Sequence, residues 1–202
     1  MLSRQDLTSP SRQDKNAGNS GDLVKHTVYL AVLNHLARAG KKALIVEAHG
    51  GKGVYVSSNP HLRRARGAYQ YSTSILGQAQ VECFVPPPDG LGVVADLAEQ
   101  EIAYAGSGAL HANAVANGMA SSLELLDADA GVRAVADRIF LENCFSKVRG
   151  NLRTIDPDGP SEPMVLSQLK EPGSVVVMCC TSIPSRLSWR QRMSGCARRI
   201  GI

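Results

Sequence analysis

Ala43-Leu44-Ile45-Val46-Glu47-Ala48-His49-Gly50-Gly51-Lys52-Gly53 joins an apolar run, an acid and a glycine-rich turn. The run reads as a parallel strand buried on both faces, whose side chains are continuously apolar. Glycines at its carboxyl end let backbone come close to a ligand, where open α/β sheets bind theirs. An acid at that tip attracts cationic or hydroxyl-bearing groups. Together they point to a nucleoside-type cofactor site, although glycine after a strand is usually just a turn. The stretch is not a phosphate-gripping P-loop. That motif needs four residues between its glycines, then Gly-Lys and a Ser or Thr, whereas Lys52 is followed by Gly53 and Val54.

Upstream, Asn16-Ala17-Gly18-Asn19-Ser20-Gly21-Asp22-Leu23-Val24-Lys25-His26 leads into a predicted helix over 22–39. Ser20 or Asp22 can cap its start and Gly40 can end it. Leu23, His26, Thr27, Leu30, Leu33, Asn34 and Leu36 recur at mostly helical spacing and make an apolar stripe. Lys25 and His26 then sit in the first turn, beside the polar loop. A solvated lysine and a half-buried histidine are the ordinary reading of such a pair.

The combination of NAGNSGDLVKH, a helix and LIVEAHGGKGVY resembles the bacterial 23S rRNA adenine-N6 methyltransferases of the J type. These have a similar Ala-Gly-Asn loop, Asp, Lys-His pair and acid-x-His-x-Gly-x-Gly turn, in the same order. The resemblance covers residues 16–56 clearly, extends through 104–129, and runs more thinly over 141–180. It implies a Rossmann-like class I methyltransferase sheet, mainly parallel, with a helical insertion at 57–103 and S-adenosyl-L-methionine as cofactor. Lys25, His26, Glu47, His49, Gly51 and Gly53 fall at the implied cofactor positions. Tyr104-Ala105-Gly106-Ser107 is similar to the family's Tyr-Pro-Gly-Ser, which adds Ser107. Ser107 can equally cap a helix running from about Ala109 to Met119. Leu123-Glu124-Leu125-Leu126-Asp127 reads as a strand ending in an acid. The family's acid there holds the cofactor ribose, so Asp127 is the candidate, with Glu124 next if the register shifts.

Asp156-Pro157-Asp158-Gly159 falls where the resemblance expects Asp-Pro-Pro-Tyr. In that tetrad a carboxylate and a prolyl carbonyl accept the hydrogens of an exocyclic amine, and the aromatic ring stacks on the extruded base. Asp156 and Pro157 match, which makes Asp156 the candidate catalytic acceptor. Asp158 and Gly159 depart from the pattern and supply no stacking face. Asp-Pro-Asp-Gly is also an ordinary turn sequence.

A chain of 202 residues with 44% hydrophobic and 20% charged residues suits one α/β domain spanning 1–202. Aromatic residues are 4% of the chain, few for a protein that stacks many bases. The net charge of +4 permits an anionic partner. Arg63, Arg64 and Arg66, and Arg186, Arg190, Arg192, Arg198 and Arg199, form two basic clusters that suit phosphate contacts or a solvated surface. Cys83, Cys144, Cys179, Cys180 and Cys196 have no paired CxxC spacing, which argues against a zinc ribbon, and no metal site is expected. Cys179-Cys180 ends an apolar run and reads as buried strand, and no local signature marks a Cys–His nucleophile. Nothing resembles a secretory signal or a spanning helix, so a cytoplasmic location with reduced thiols is expected.

Predicted elements beyond these are helices at 92–102, 130–138 and 163–169 and strands at 152–156 and 174–179. Their alternation argues for a mainly parallel sheet. Family members continue past the last of these strands, so a sheet edge covered by self-association or by a protein partner is a further expectation. Three functions are compatible with this pattern. They are adenine-N6 methylation of 23S ribosomal RNA, a methyltransferase-like protein that binds cofactor or RNA without turnover, and methylation of another substrate.

Overall fold

The computed structural model describes residues 17, 20–48, 50–56, 103–140, 143–158 and 171–180. Helix α1 (Ser20–Arg38) leads into β1 (Lys42–Ala48), then β2 (Val54–Val56) and β3 (Ala103–Ala105). Helix α2 (Ser107–Ala116), β4 (Ser122–Leu126), α3 (Ala130–Phe140), a 3₁₀ segment (Asn143–Asn151), β5 (Leu152–Ile155) and β6 (Ser174–Cys180) follow. The main sheet has the order β5-β4-β1-β6, and all of its pairings are parallel. β2 and β3 form a separate antiparallel pair. This is an α/β protein with a Rossmann-like, mainly parallel sheet flanked by helices. The insertion at 57–103, except its last residue, and the predicted helices at 92–102 and 163–169 lie outside the described residues.

Strand β1 is central because its sequence can be buried on both faces. Ala43 and Ile45 join Leu30 and Leu33 of α1, Leu110 and Ala112 of α2 and Leu123 and Leu125 of β4 in the main core. Leu44 and Val46, pointing the other way, pack with Leu126, Val176 and Met178. Of the predicted stripe on α1, Leu30 and Leu33 are buried in this core and Leu36 packs against it. The helix ends where the sequence expects. Gly40 has φ 67°, its amide donates to Ala37 O at 3.0 Å, and the Lys41 amide donates to Leu36 O at 2.9 Å. These bonds satisfy carbonyls that the last turn leaves free, and the left-handed residue between them favours glycine.

Helix α2 departs from expectation at its start. It begins at Ser107 rather than near Ala109, with Gly106 as N-cap and no side-chain cap. The physical reason is packing against the glycine turn. The Gly106 amide donates to Gly53 O at 2.7 Å, and a Cβ on Gly106 would sit 2.8 Å from Tyr55 Cε2. The helix is therefore anchored by backbone contact, and Ser107 becomes its buried first residue.

Candidate functional site

The chain steps outward from β1 to β4 to β5, then crosses back to β6 on the other side of β1. That reversal is a topological switch point, and ligands of open α/β sheets bind beyond the strand ends there. The glycine turn follows β1 directly at this end. Gly51 and Gly53 have φ of 62° and 80°, a region that disfavours other residues. Gly50 is required for space, since a Cβ there would lie 2.5 Å from Leu125 Cδ1. Helix α2 closes on the same leucine, with Gly108 excluding a Cβ that would be 2.6 Å from Leu125 Cδ1. His49 lies outside the described residues.

Glu47, at the penultimate position of β1, is fully buried. Its Oε2 lies 2.8 Å from His111 Nδ1, while Oε1 has no hydrogen-bond partner. Asp127 immediately follows β4 and is 7% exposed. Its Oδ1 accepts the Asp129 amide at 2.9 Å, and Oδ2 is buried without a partner. The alternative acid, Glu124, pairs in register with Val46 and Arg153. It therefore lies on the opposite face from Glu47, and Arg153 Nε approaches it at 4.0 Å. Asp127 is the acid at the strand tip.

From α1, Lys25 Nζ forms an ion pair with Asp22 at 2.6 Å. His26 is pushed down from its usual 6.5 to about 4, chiefly by desolvation. Glu47 and Asp22 oppose that shift in part, and His111 and Lys25 add to it. At neutral pH His26 is therefore uncharged.

Asp156 lies just past β5, the outermost on the β4 side among the described strands, two strands from β1. Arg133 spans this edge, donating to Asp127 O at 2.6 Å and to Asp156 Oδ2 at 2.9 Å. Asp156 Oδ1 accepts the Asp158 amide at 3.0 Å, the bond of an Asx turn. Both carboxylate oxygens of Asp156 are thus engaged within the fold, whereas Glu47 and Asp127 each hold one in reserve. The strand on the other side of β1 is β6, which ends at Cys179-Cys180. Gly159, the last residue of the expected tetrad, lies outside the described residues.

Sequence reasoning did not single out His111 or Arg133, and it read Cys179 only as buried strand. His111 stands alone in an alanine-rich helix, and its carboxylate partner is 64 positions away. An isolated histidine among small apolar residues, with a strand acid elsewhere, was the sole available signal.

No family model matches the chain, and no curated protein matches it. Among solved structures it is similar to protein LPL1258 from Legionella pneumophila str. Philadelphia 1, of the family-model DUF519, with a TM-score of 0.50 and 18% sequence identity. The similarity covers 92% of this chain and 63% of that one. At this identity the likeness concerns the fold alone. Among the described residues no helix is long and apolar enough to cross a membrane, and no group of His, Cys, Asp and Glu is arranged to hold a metal ion.

Proposed function

We propose that this chain binds S-adenosyl-L-methionine beyond the carboxyl ends of β1 and β4 and transfers its methyl group. The observation that carries this reading is the pair of buried, unpartnered carboxylate oxygens, Glu47 Oε1 and Asp127 Oδ2. A buried polar atom without a partner costs on the order of 1–3 kcal/mol, and buried polar groups are nearly always satisfied. A ligand bearing both an ammonium and vicinal hydroxyls supplies the missing donors. Asp127 would accept from the ribose hydroxyls and Glu47 from the ammonium, while Gly50, Gly51 and Gly53 allow close backbone approach. Lys52 within that turn and Ser107 beside it are also buried. When bound, the cofactor supplies a methyl carbon already activated by its sulfonium, so the protein's task is alignment and exclusion of water.

The acceptor proposed from the sequence resemblance is an adenine N6 amine of 23S ribosomal RNA. Its support is the long first motif and the two arginine clusters, which lie outside the described residues. A second reading, a methyltransferase-like protein that binds cofactor without this transfer, is favoured by the engagement of both Asp156 oxygens.

Calorimetric titration with S-adenosyl-L-methionine, with Asp127→Ala as control, tests the cofactor reading. Binding that is lost in the variant supports it. Absence of binding by folded wild type overturns it. A methyl-transfer assay on unmodified 23S ribosomal RNA then separates transfer from binding alone.

A further inference from the structure

Helix α2 carries one histidine, and its ring is held from several directions. His111 Nδ1 is 2.8 Å from Glu47 Oε2 on β1, and Nε2 is 3.8 Å from Cys179 Sγ on β6. Glu47 and Cys179 are register partners, so their side chains share the sheet face against which the imidazole sits. The Tyr29 ring of α1 lies beside it, with centroids 5.7 Å apart. The tautomer with its proton on Nδ1 suits both polar contacts: Nδ1–H donates to the carboxylate, and Nε2 faces the thiol as an acceptor. The hydrogen-bonding capacity of the imidazole is thus spent inside the fold, where His111 is 1% exposed. A ring engaged at both nitrogens has one orientation, and it passes that orientation to its partner. With Oε2 held, the plane of the Glu47 carboxylate is set, and Oε1, the oxygen without a partner, points in one direction.

We propose that His111 is a positioning residue that aims Glu47 at the ammonium of the cofactor, and so makes the site select ligands that carry this amine. The inference rests on the cofactor reading above and assigns what governs its aminoacyl end. A glutamate side chain left to itself spreads its oxygens over several rotamers. Fixing them when the ligand arrives costs conformational entropy, whereas an acceptor aimed in advance avoids that cost. Cys179 takes part only by engaging the far nitrogen of the ring that does the aiming. The acceptor at the other end of the site is oriented separately, since Asp127 Oδ1 is held by the Asp129 amide. His111 therefore acts on the part of the ligand that meets Glu47 and leaves the ribose end alone. A ligand with adenine and both ribose hydroxyls but no amine leaves Glu47 Oε1 as unpartnered as before, and gains its affinity from the nucleoside half.

The probes are S-adenosylhomocysteine and its desamino analogue, in which hydrogen replaces the α-amine, titrated calorimetrically into the full chain. Wild type should prefer the amine-bearing ligand by at least about tenfold, the scale of one hydrogen bond to a charged group. His111→Leu should remove most of that preference while changing affinity for the desamino analogue by no more than about twofold, a difference too small for a lost hydrogen bond. His111→Asn, whose amide nitrogen takes the place of Nδ1, should restore the preference. A purely structural role would weaken both ligands together. In wild type with isotope-labelled histidine, magnetic resonance should show the His111 proton on Nδ1 and ring signals that shift with S-adenosylhomocysteine but not with the analogue. An unchanged preference in folded His111→Leu, or equal loss of both ligands, overturns the proposal. So do wild-type ring signals that respond alike to the two ligands, even if neither variant folds. Binding of both ligands without preference overturns this inference alone, whereas binding of neither overturns the cofactor reading and this inference with it.

Discussion

Glu47 and His111 meet through a buried contact of 2.8 Å between Oε2 and Nδ1, and that contact uses only half of the carboxylate. The other oxygen, Oε1, is buried with no partner. An acid at the carboxyl end of a central strand is therefore oriented by one helix and still has capacity for a ligand. Asp127, beyond the neighbouring strand, repeats the arrangement, with Oδ1 held by the Asp129 amide and Oδ2 free of partners. The loss of a charged acceptor is the simplest probe of each.

Asp127→Asn should weaken binding of S-adenosyl-L-methionine by about 10- to 100-fold, the scale of a hydrogen bond to a charged group. The amide oxygen can still accept from Asp129, so the local turn should survive. Calorimetry gives the affinity, and unchanged circular dichroism would exclude unfolding as the cause.

Acid should destabilise the protein through His26. Its folded value of about 4 lies below the usual 6.5, so between those values the unfolded chain binds more protons. The contribution is fully present above about pH 6.5 and is lost as pH falls to about 4, amounting to at most about 3 kcal/mol. Urea unfolding at several pH values across that window should show this slope in wild type. In His26→Gln the slope should flatten.

The glycine turn and α2 share Leu125 as a stop. Gly50→Ala places a methyl 2.5 Å from Leu125 Cδ1, a clash that should cost about 1–3 kcal/mol as overpacking. Combining it with Leu125→Ala should be less harmful than the sum of the two single changes, since the second removes the clashing atoms. Denaturant midpoints of the two single variants and the double variant measure the coupling.

Arg133 and Asp156 should behave as a structural pair. The ion pair is 2.9 Å long and Asp156 is 42% exposed, so its coupling should be about 0.5–1 kcal/mol in a double-mutant cycle. If Asp156 instead serves as an acceptor for a substrate amine, Asp156→Asn would abolish methyl transfer while Arg133→Ala would retain it. The transfer assay on the two variants separates these outcomes.

Much of the fold is legible in local chemistry. The apolar run ending at Glu47 reads as a strand because each of its faces is buried, and the structure has it over Lys42–Ala48. Gly40 marks the end of α1 because a left-handed turn favours glycine. The α2 boundary is read less well, because Gly106 is placed by Gly53 and Tyr55 rather than by its own neighbours. Asp127 is visible as a strand-tip acid, but its unpartnered oxygen is not.

What the sequence determined by itself is therefore what depends on residues close along the chain: the strand and helix periods, the helix stop, and the acids at the carboxyl ends of strands β1 and β4. Tertiary structure decided which strands are neighbours, and with that the chemistry. Only the order β5-β4-β1-β6 sets Cys179 beside Glu47 and puts Asp156 at the far edge. Only the packing of α2 on the sheet brings His111 to both Glu47 and Cys179. Side-chain periodicity is a local steric property, whereas strand order and helix docking arise from burial shared among segments far apart in the chain.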